Sequence, residues 1–367
     1  MRRGWLSVFS TLAIGFVWLA APLRAQFVYV ANGDSHNVSA YSIGANGALT
    51  PVPGSPFRAR HLPHSVAVDP TGKFAYVANA GEFGTFRGSV SAYSIGANGA
   101  LTPVPGSPFE AGLASHSVAV DPTGKFAYVV NAFDDTVSAF SIGTDGALTP
   151  VTGSPFATRN NPFSVAVDPT GKFAYVANHG SHNVSAYRIV ADGALKPVTG
   201  SPFPAGFSPS SVAVDPTAKF TYVVNRGSNN VSAYSIAADG ALIPVTGSPF
   251  PAGVDPASVT VDPTGKFAYV ANGGTNNVSA YSIGADGSLK PVTGSPFPAG
   301  ERPLSVAVDP SGKFAYVANG GSNNVSGYRI DRSTGALDPV PGSPFAAGSG
   351  PISVAITPLV PFASSFR

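Results

Sequence analysis

Two histidines stand in nearly identical settings: His64 in Pro-His-Ser-Val and His116 in Ser-His-Ser-Val. Between them lies AGEFGTFRGS, Ala80 to Ser89, which carries Glu82 and Arg87. A carboxylic acid, a pair of imidazoles and a guanidinium are the groups that general acid–base chemistry with oxyanion stabilisation needs. In that scheme His64 or His116 is the base, Glu82 the acid, and Arg87 or Arg226 holds the anion. His61, His179, Arg226 and Arg302 complete the set as substrate-binding candidates. His61-x-x-His64 with His116 also has the ligand types of a metal site. That spacing is common by chance and a loop does not fix its geometry, so the expectation is no metal and no cofactor. The plain alternative is exposed loop histidines without a role.

These residues hang on a repeated unit, seen most clearly from Ser164 to Asn178 as SVAVDPTGKFAYVAN. Val165 and Val167 alternate with Ala166, the period of a strand. Asp168-Pro169-Thr170-Gly171 has the residues of a type I turn. Phe173, Tyr175 and Ala177 then share one face of a second strand. A third strand, NVSAYRI, runs from Asn183 to Ile189, and Asp192-Gly193 supplies the positive φ of the next reversal. The fourth strand, near Ala194 to Thr199, carries Pro197. It lacks that ladder donor and is expected at a sheet edge. Ser-Pro-Phe at Ser201 to Phe203 closes the unit. The Asn-Val-Ser triplets, from Asn37 to Asn324, match a glycosylation acceptor but read better as a turn residue followed by a strand.

The aromatic that opens the second strand falls at Phe27, Phe74, Phe126, Phe173, Phe220, Phe267 and Phe314, every 47 residues except for 52 after Phe74. Four strands per unit at a fixed period of this length indicate a β-propeller. The chain opens on a half-unit, FVYVAN at Phe27, and ends on the complementary half, SVAITP at Ser353. The expected fold is therefore all-β: seven blades of four antiparallel strands. Blade 1 takes its innermost strand, Ile352 to Ile356, from the C-terminus, which removes the free edges.

In such a propeller the DPTG and Asx-Gly turns share one end of the blades. The loops after YVAN and before SVAV share the other. The turn end is nearly uniform and the loop end varies. All six histidines fall on the loop end, His36, His179 and His182 after YVAN and His61, His64 and His116 before SVAV. Variable loops on a rigid scaffold are where function is usually carried. His64 and His116 are expected just before innermost strands, near the channel mouth, with Phe83 and Phe86 of the enlarged loop covering them.

Charged residues make up 11% of the chain, and the formal net charge is +2. Arg2, Arg3 and Arg24 precede the first strand; without them 18 basic residues face 19 acidic ones. That balance gives a nucleic-acid partner no electrostatic support. Residues 1–25 read as a secretory signal, with Arg2 and Arg3 before an apolar run and Ala25 as cleavage point. Retention as a membrane anchor is the alternative. The expected domains are the signal 1–25, the propeller 26–358 and a tail 359–367, secreted or periplasmic, without a membrane span after cleavage, and monomeric. There are no cysteines, so burial and strand pairing must carry the stability.

FAYVAN followed by NVSAYSI resembles the YVTN-type propeller repeat. The longer unit DPTGKFAYVAN…NVSAYSI…GAL resembles the seven-bladed lactonase family that includes 6-phosphogluconolactonase and carboxymuconate cyclase. The resemblance covers nearly the whole chain after residue 25. It implies a histidine before an innermost strand in a P-H-S-V-like setting, which His64 matches and His116 matches in part. It also implies Glu directly after YVVN and Arg in a G-P-R-H segment. The position after YVAN here holds Gly33, Ala80, Ala132, His179, Arg226, Gly273 and Gly320; Glu82 lies two residues further on, and no G-P-R-H segment occurs, Arg302-Pro303 being only a poor substitute for it. Two functions follow as expectations. One is a secreted lactone-ring hydrolase or cycloisomerase acting on a small-molecule lactone. The other is a non-catalytic propeller whose varied face binds a protein, polysaccharide or envelope component. A repeated-site lectin is weaker, because the chain without its first 25 residues has no Trp to offer as a sugar platform.

Overall fold

The computed structural model describes residues 25–359. The signal segment and the C-terminal tail read from the sequence lie outside them apart from their boundary residues. The described residues form strands and turns only, and no helix among them is long and apolar enough to cross a membrane. Seven antiparallel sheets are the seven blades. In blade 4 the order from the inside outward is Pro162–Val167, Phe173–Asn178, Asn183–Ile189 and Leu195–Pro197. Pro197 lies on the outer edge, where its missing N–H costs no ladder bond.

The fourth strand proves to be in two pieces. Leu195–Pro197 and Phe203–Pro204 both pair with Asn183–Ile189. The Ser-Pro-Phe motif spans the break. Between the two pairings the third strand would leave Ala186 N–H unpaired, and Ser201 Oγ accepts it at 2.9 Å. The same bond recurs from Ala40 to Ser55, which explains why serine holds this position.

Each turn at the uniform end is built around its aspartate. Asp168 is buried. Its Oδ1 accepts from Lys172 N and Phe173 N, each at 2.7 Å, and its Oδ2 accepts from Thr170 N at 3.1 Å. Gly171 closes the turn at φ +70°.

Blades are joined by apolar layers and by hydrogen bonds. One layer packs Phe27, Tyr29 and Val38 of blade 1 against Val66, Val77 and Tyr93 of blade 2. The tyrosine of each YVAN strand is fully buried, a position that requires a partner for its hydroxyl. Tyr175 donates to Gly240 O at 3.1 Å, in the Asx-Gly turn of the next blade. The series closes through Tyr316 to Gly47 and Tyr29 to Gly99, each at 2.8 Å. At Gly99, φ is +83° and a Cβ would sit 2.3 Å from Phe27, so both backbone and space require glycine there.

Ring closure follows the expected pattern. Pro351–Ile356 pairs antiparallel with Phe27–Asn32, Val354 opposite Val30. Phe27 N–H donates to Thr357 Oγ1, and Thr357 N–H to Phe27 O, each at 2.9 Å.

Candidate functional site

The innermost strands begin at Pro63 and Ser115. His64 and His116 are therefore the second residues of strands, not loop residues before them. Each sits at a register shift, between Pro63 and Ser65 and between Ser115 and Ser117. A bulge of this kind re-aims one side chain out of the alternation. Here it turns the second residue toward the axis, and the same position in the other blades holds Phe163, Ser210, Ala257, Leu304 and Ile352. All seven line one cavity of about 550 Å³ at the channel mouth.

Beneath that tier is a ring of seven serines, Ser65, Ser117, Ser164, Ser211, Ser258, Ser305 and Ser353, which line the same cavity. Each hydroxyl oxygen accepts the N–H of the following blade's innermost valine, as from Val118 to Ser65 at 3.3 Å and from Val66 to Ser353 at 3.2 Å. The serines stitch the blades together and hold the upper tier at fixed height.

The imidazoles of His64 and His116 stack, with centroids 4.2 Å apart and planes 10° from parallel. Phe163 meets His116 edge-on at 4.5 Å, and His179 lies 5.0 Å behind Phe163. His116 Nδ1 is buried and has no hydrogen-bond partner. Burial pushes the His64 pKa down to about 4. Burial, then the neighbouring His64 and His179, pushes that of His116 down to about 3. Both rings are thus neutral at physiological pH, each with one donor and one acceptor nitrogen. His179 is also lowered, by burial first and then by Arg226 and His182.

Arg226 and Arg302 reach the same cavity, as does Asp34. Arg226 is held in a bidentate pair with Asp255, its Nη2 donating to Oδ2 at 2.8 Å. That hydrogen bonding pushes its pKa up.

The other candidates do not join this group. Glu82, Arg87 and His61 line a separate cavity of about 360 Å³ with Arg60 and Glu110. Glu82 Oε1 and His61 Nε2 stand 3.4 Å apart and are well exposed. The enlarged loop does not cover the mouth either: Phe83 is 89% exposed, and Phe86 packs against Phe133 at 4.9 Å. The added residues instead lengthen the outer hairpin. The third strand of blade 2 starts early, at Arg87, and Arg87 pairs with Leu113 of a lengthened outer piece, Phe109–Leu113. The pairing draws the loop toward the rim.

His36 and His182 have a backbone role. Both adopt positive φ, 55° and 56°. The Leu62 N–H approaches His36 Nδ1 at 3.2 Å and the Ser208 N–H approaches His182 Nδ1 at 3.0 Å. At the same repeat position, Asn229, Asn276 and Asn323 accept from Asp255, Arg302 and Gly350 through Oδ1. Asn, Asp and His are the non-glycine residues that best tolerate this conformation. His36 thus fixes the loop that leads through Pro63 to His64.

Phe163, Leu304 and Ile352 were missed by reasoning that compared only polar residues. Aligning every residue that precedes SVAV would have found them. Among the described residues no three His, Asp or Glu side chains are grouped as metal ligands. A cavity of about 1010 Å³ lies at the opposite, turn end beside Lys313, Asp331 and Arg332. Its lining includes Lys313, Arg329, Arg332, Asp331 and Asp338 but no imidazole, so the mouth, with its stacked histidine pair, is the better candidate for general acid–base chemistry.

Comparison with known proteins agrees with this architecture. A family model described as Lactonase, 7-bladed beta-propeller matches residues 24–252 and 162–355. A solved structure from Bacteroides uniformis, assigned as a 6-phosphogluconolactonase, superposes with a TM-score of 0.80 at 19% identity, over 91% of this chain and 100% of the other. The periplasmic gluconolactonase of Pseudomonas aeruginosa superposes with a TM-score of 0.78 at 19% identity, over 91% and 99%. These likenesses are of fold. No curated protein matches the chain. With the family model spanning all seven blades, the chain belongs to the seven-bladed β-propeller lactonase family.

Proposed function

We propose that the protein opens the ring of a small lactone at the loop-end mouth of the channel, with His64 and His116 as the reacting pair. The observation that carries this reading is the stacked, neutral imidazole pair inside a cavity of about 550 Å³. A water oxygen attacks the lactone carbonyl carbon while one imidazole takes a proton from that water. The other donates its N–H to the carbonyl oxygen as negative charge develops there. The acyl C–O bond of the ring breaks, and the ring oxygen leaves with the proton held by the first imidazole. The product is the open hydroxy acid. A base pushed down to about 4 is weak at neutral pH, so neutral N–H donation to the carbonyl is the larger part of the pair's contribution. Arg226 and Arg302 would orient the product carboxylate at the rim. Glu82 and Arg87, in their separate cavity, have no part in this scheme.

Export with cleavage near Ala25 belongs to the same proposal. It is supported by the Arg2-Arg3 start and apolar run, and by likeness to a periplasmic protein. Intact mass of the exported protein tests it, since retained Trp5 and Trp18 would mean an anchor. The catalytic reading is tested by titrating acid release from a panel of γ- and δ-lactones. Turnover above the uncatalysed rate supports it. No turnover across the panel favours the non-catalytic reading, in which exposed Phe83 and its neighbours contact a macromolecule.

A further inference from the structure

The mouth is divided by chemistry. From blade 2 to blade 5 it presents nitrogen-bearing and aromatic groups: His64, His116, Phe163 and Arg226. From blade 6 through blade 7 to blade 1 the tier of second residues presents Ala257, Leu304 and Ile352, with Arg302 and Asp34 lining the cavity beside them. The aliphatic arc depends on two glycines. A Cβ on Gly320 would lie 2.7 Å from Leu304 Cδ1, and one on Gly33 would lie 2.5 Å from Ile352 Cδ1. In the polar arc the corresponding positions carry Ala80, Ala132, His179 and Arg226. Glycine in blades 7 and 1 therefore leaves the space that the Leu304 and Ile352 side chains fill.

Formal charge at the mouth sums to zero. Arg226 is paired with Asp255, and the lining adds one further cation, Arg302, and one further anion, Asp34, which form no ion pair with each other. A phosphate dianion would meet no net positive charge and one guanidinium, Arg302, with no ion pair among the described residues, whereas phosphate recognition ordinarily rests on several unpaired Arg or Lys or on a cluster of backbone N–H groups. Partly exposed Leu304 and Ile352 side chains, by contrast, gain free energy when an apolar group covers them.

We infer that the mouth takes an uncharged lactone bearing an apolar substituent, its carbonyl toward His64 and His116 and its substituent over Leu304 and Ile352. This rests on the reading of that pair as the reacting end, but it concerns what the cavity binds and can be tested by binding alone.

The experiment follows the imidazole resonances of His64 and His116 by NMR while γ-butyrolactone, γ-decalactone, δ-gluconolactone and its 6-phosphate are titrated in. The alkyl-bearing γ-decalactone should bind at least about tenfold more tightly than γ-butyrolactone, a difference of the size that small apolar pockets give. Leu304→Asn and Ile352→Asn should each remove most of that advantage and leave γ-butyrolactone unchanged. Tighter binding of the phosphorylated sugar lactone, or an alkyl advantage that persists in both folded variants, would overturn the inference. If either variant fails to fold, the ranking in the unaltered protein decides. Alkyl-lactone binding without hydrolysis would uphold this inference and overturn the proposed activity. Hydrolysis with a preference for the phosphorylated lactone would do the reverse.

Discussion

Ser353, in the last strand of the chain, accepts the backbone N–H of Val66 at 3.2 Å and so ties the C-terminus to blade 2. Its own strand pairs with Phe27–Asn32 of blade 1. The C-terminal segment thus completes one blade internally and bonds to the next.

A chain ending before Ser349 should lose that closure. Val28 and Val30 are fully buried, and removing their partner strand would open an inner edge. Each exposed valine costs about 1.5–3 kcal/mol of burial, a large fraction of the roughly 5–15 kcal/mol that holds a typical domain folded. Thermal unfolding followed by circular dichroism should show a far lower midpoint or no cooperative transition. A melt like that of the full chain would refute the closure.

His36 should be replaceable by asparagine but not by alanine. His36→Asn supplies the Oδ1 acceptor found at this position in other blades, and stability should stay within about 0.5 kcal/mol. His36→Ala removes the Nδ1 that lies 2.8 Å from Gly33 O and 3.2 Å from Leu62 N and places a plain side chain at positive φ, at a cost of about 1–2 kcal/mol. Urea unfolding of the two variants separates these outcomes. Equal losses would mean that Nδ1 is not the group that matters.

Ala218 occupies the turn position where most other blades have glycine, at φ +56°. A left-handed conformation costs an L-residue about 1–2 kcal/mol, partly offset by glycine's greater unfolded-state entropy. Ala218→Gly should therefore stabilise the protein by about 0.5–1 kcal/mol in urea titration. Destabilisation would show that the Ala218 methyl group makes a compensating contact.

Much of the fold was legible because each unit repeats the same turn and strand chemistry. Asp-Pro-Thr-Gly, Asx-Gly and a proline on the outer strand each have one good structural reading, and their repetition from blade to blade averages out local ambiguity. Phe27 and Ser353 also betrayed the closure as complementary halves. The site was less legible. That His64 lies within a strand depends on a register shift beside Pro63, which its sequence does not announce. That Glu82 stands apart depends on the inserted residues joining the outer hairpin, a choice made by pairing between Arg87 and Leu113. The polar comparison also passed over Leu304 and Ile352, which share the repeat position of His64.

The depressed pKa values give a signed pH dependence. In the unfolded chain His64 and His116 would titrate near the ordinary histidine value of about 6.5, while in the fold they do so near 4 and 3. Between these limits the unfolded chain binds more protons, so stability rises with pH. Above about pH 6.5 both states are neutral and the penalty vanishes. It grows as pH falls from about 6.5 and is complete once the folded values are passed. Unfolding free energy measured from pH 3 to 8 should decline on the acid side, less steeply in His64→Ala/His116→Ala. An unchanged slope in that double variant would show that these rings do not titrate as described.

Lactone hydrolysis by the double variant His64→Ala/His116→Ala tests the central claim most directly. On the best lactone of the panel, kcat should fall by at least about 10²-fold, the usual lower range for loss of a general acid–base group. The circular dichroism spectrum of the folded propeller should be retained. Arg87→Ala, in the separate cavity, should keep its rate. Full turnover by the double variant would contradict the account and remove both histidines from the chemistry.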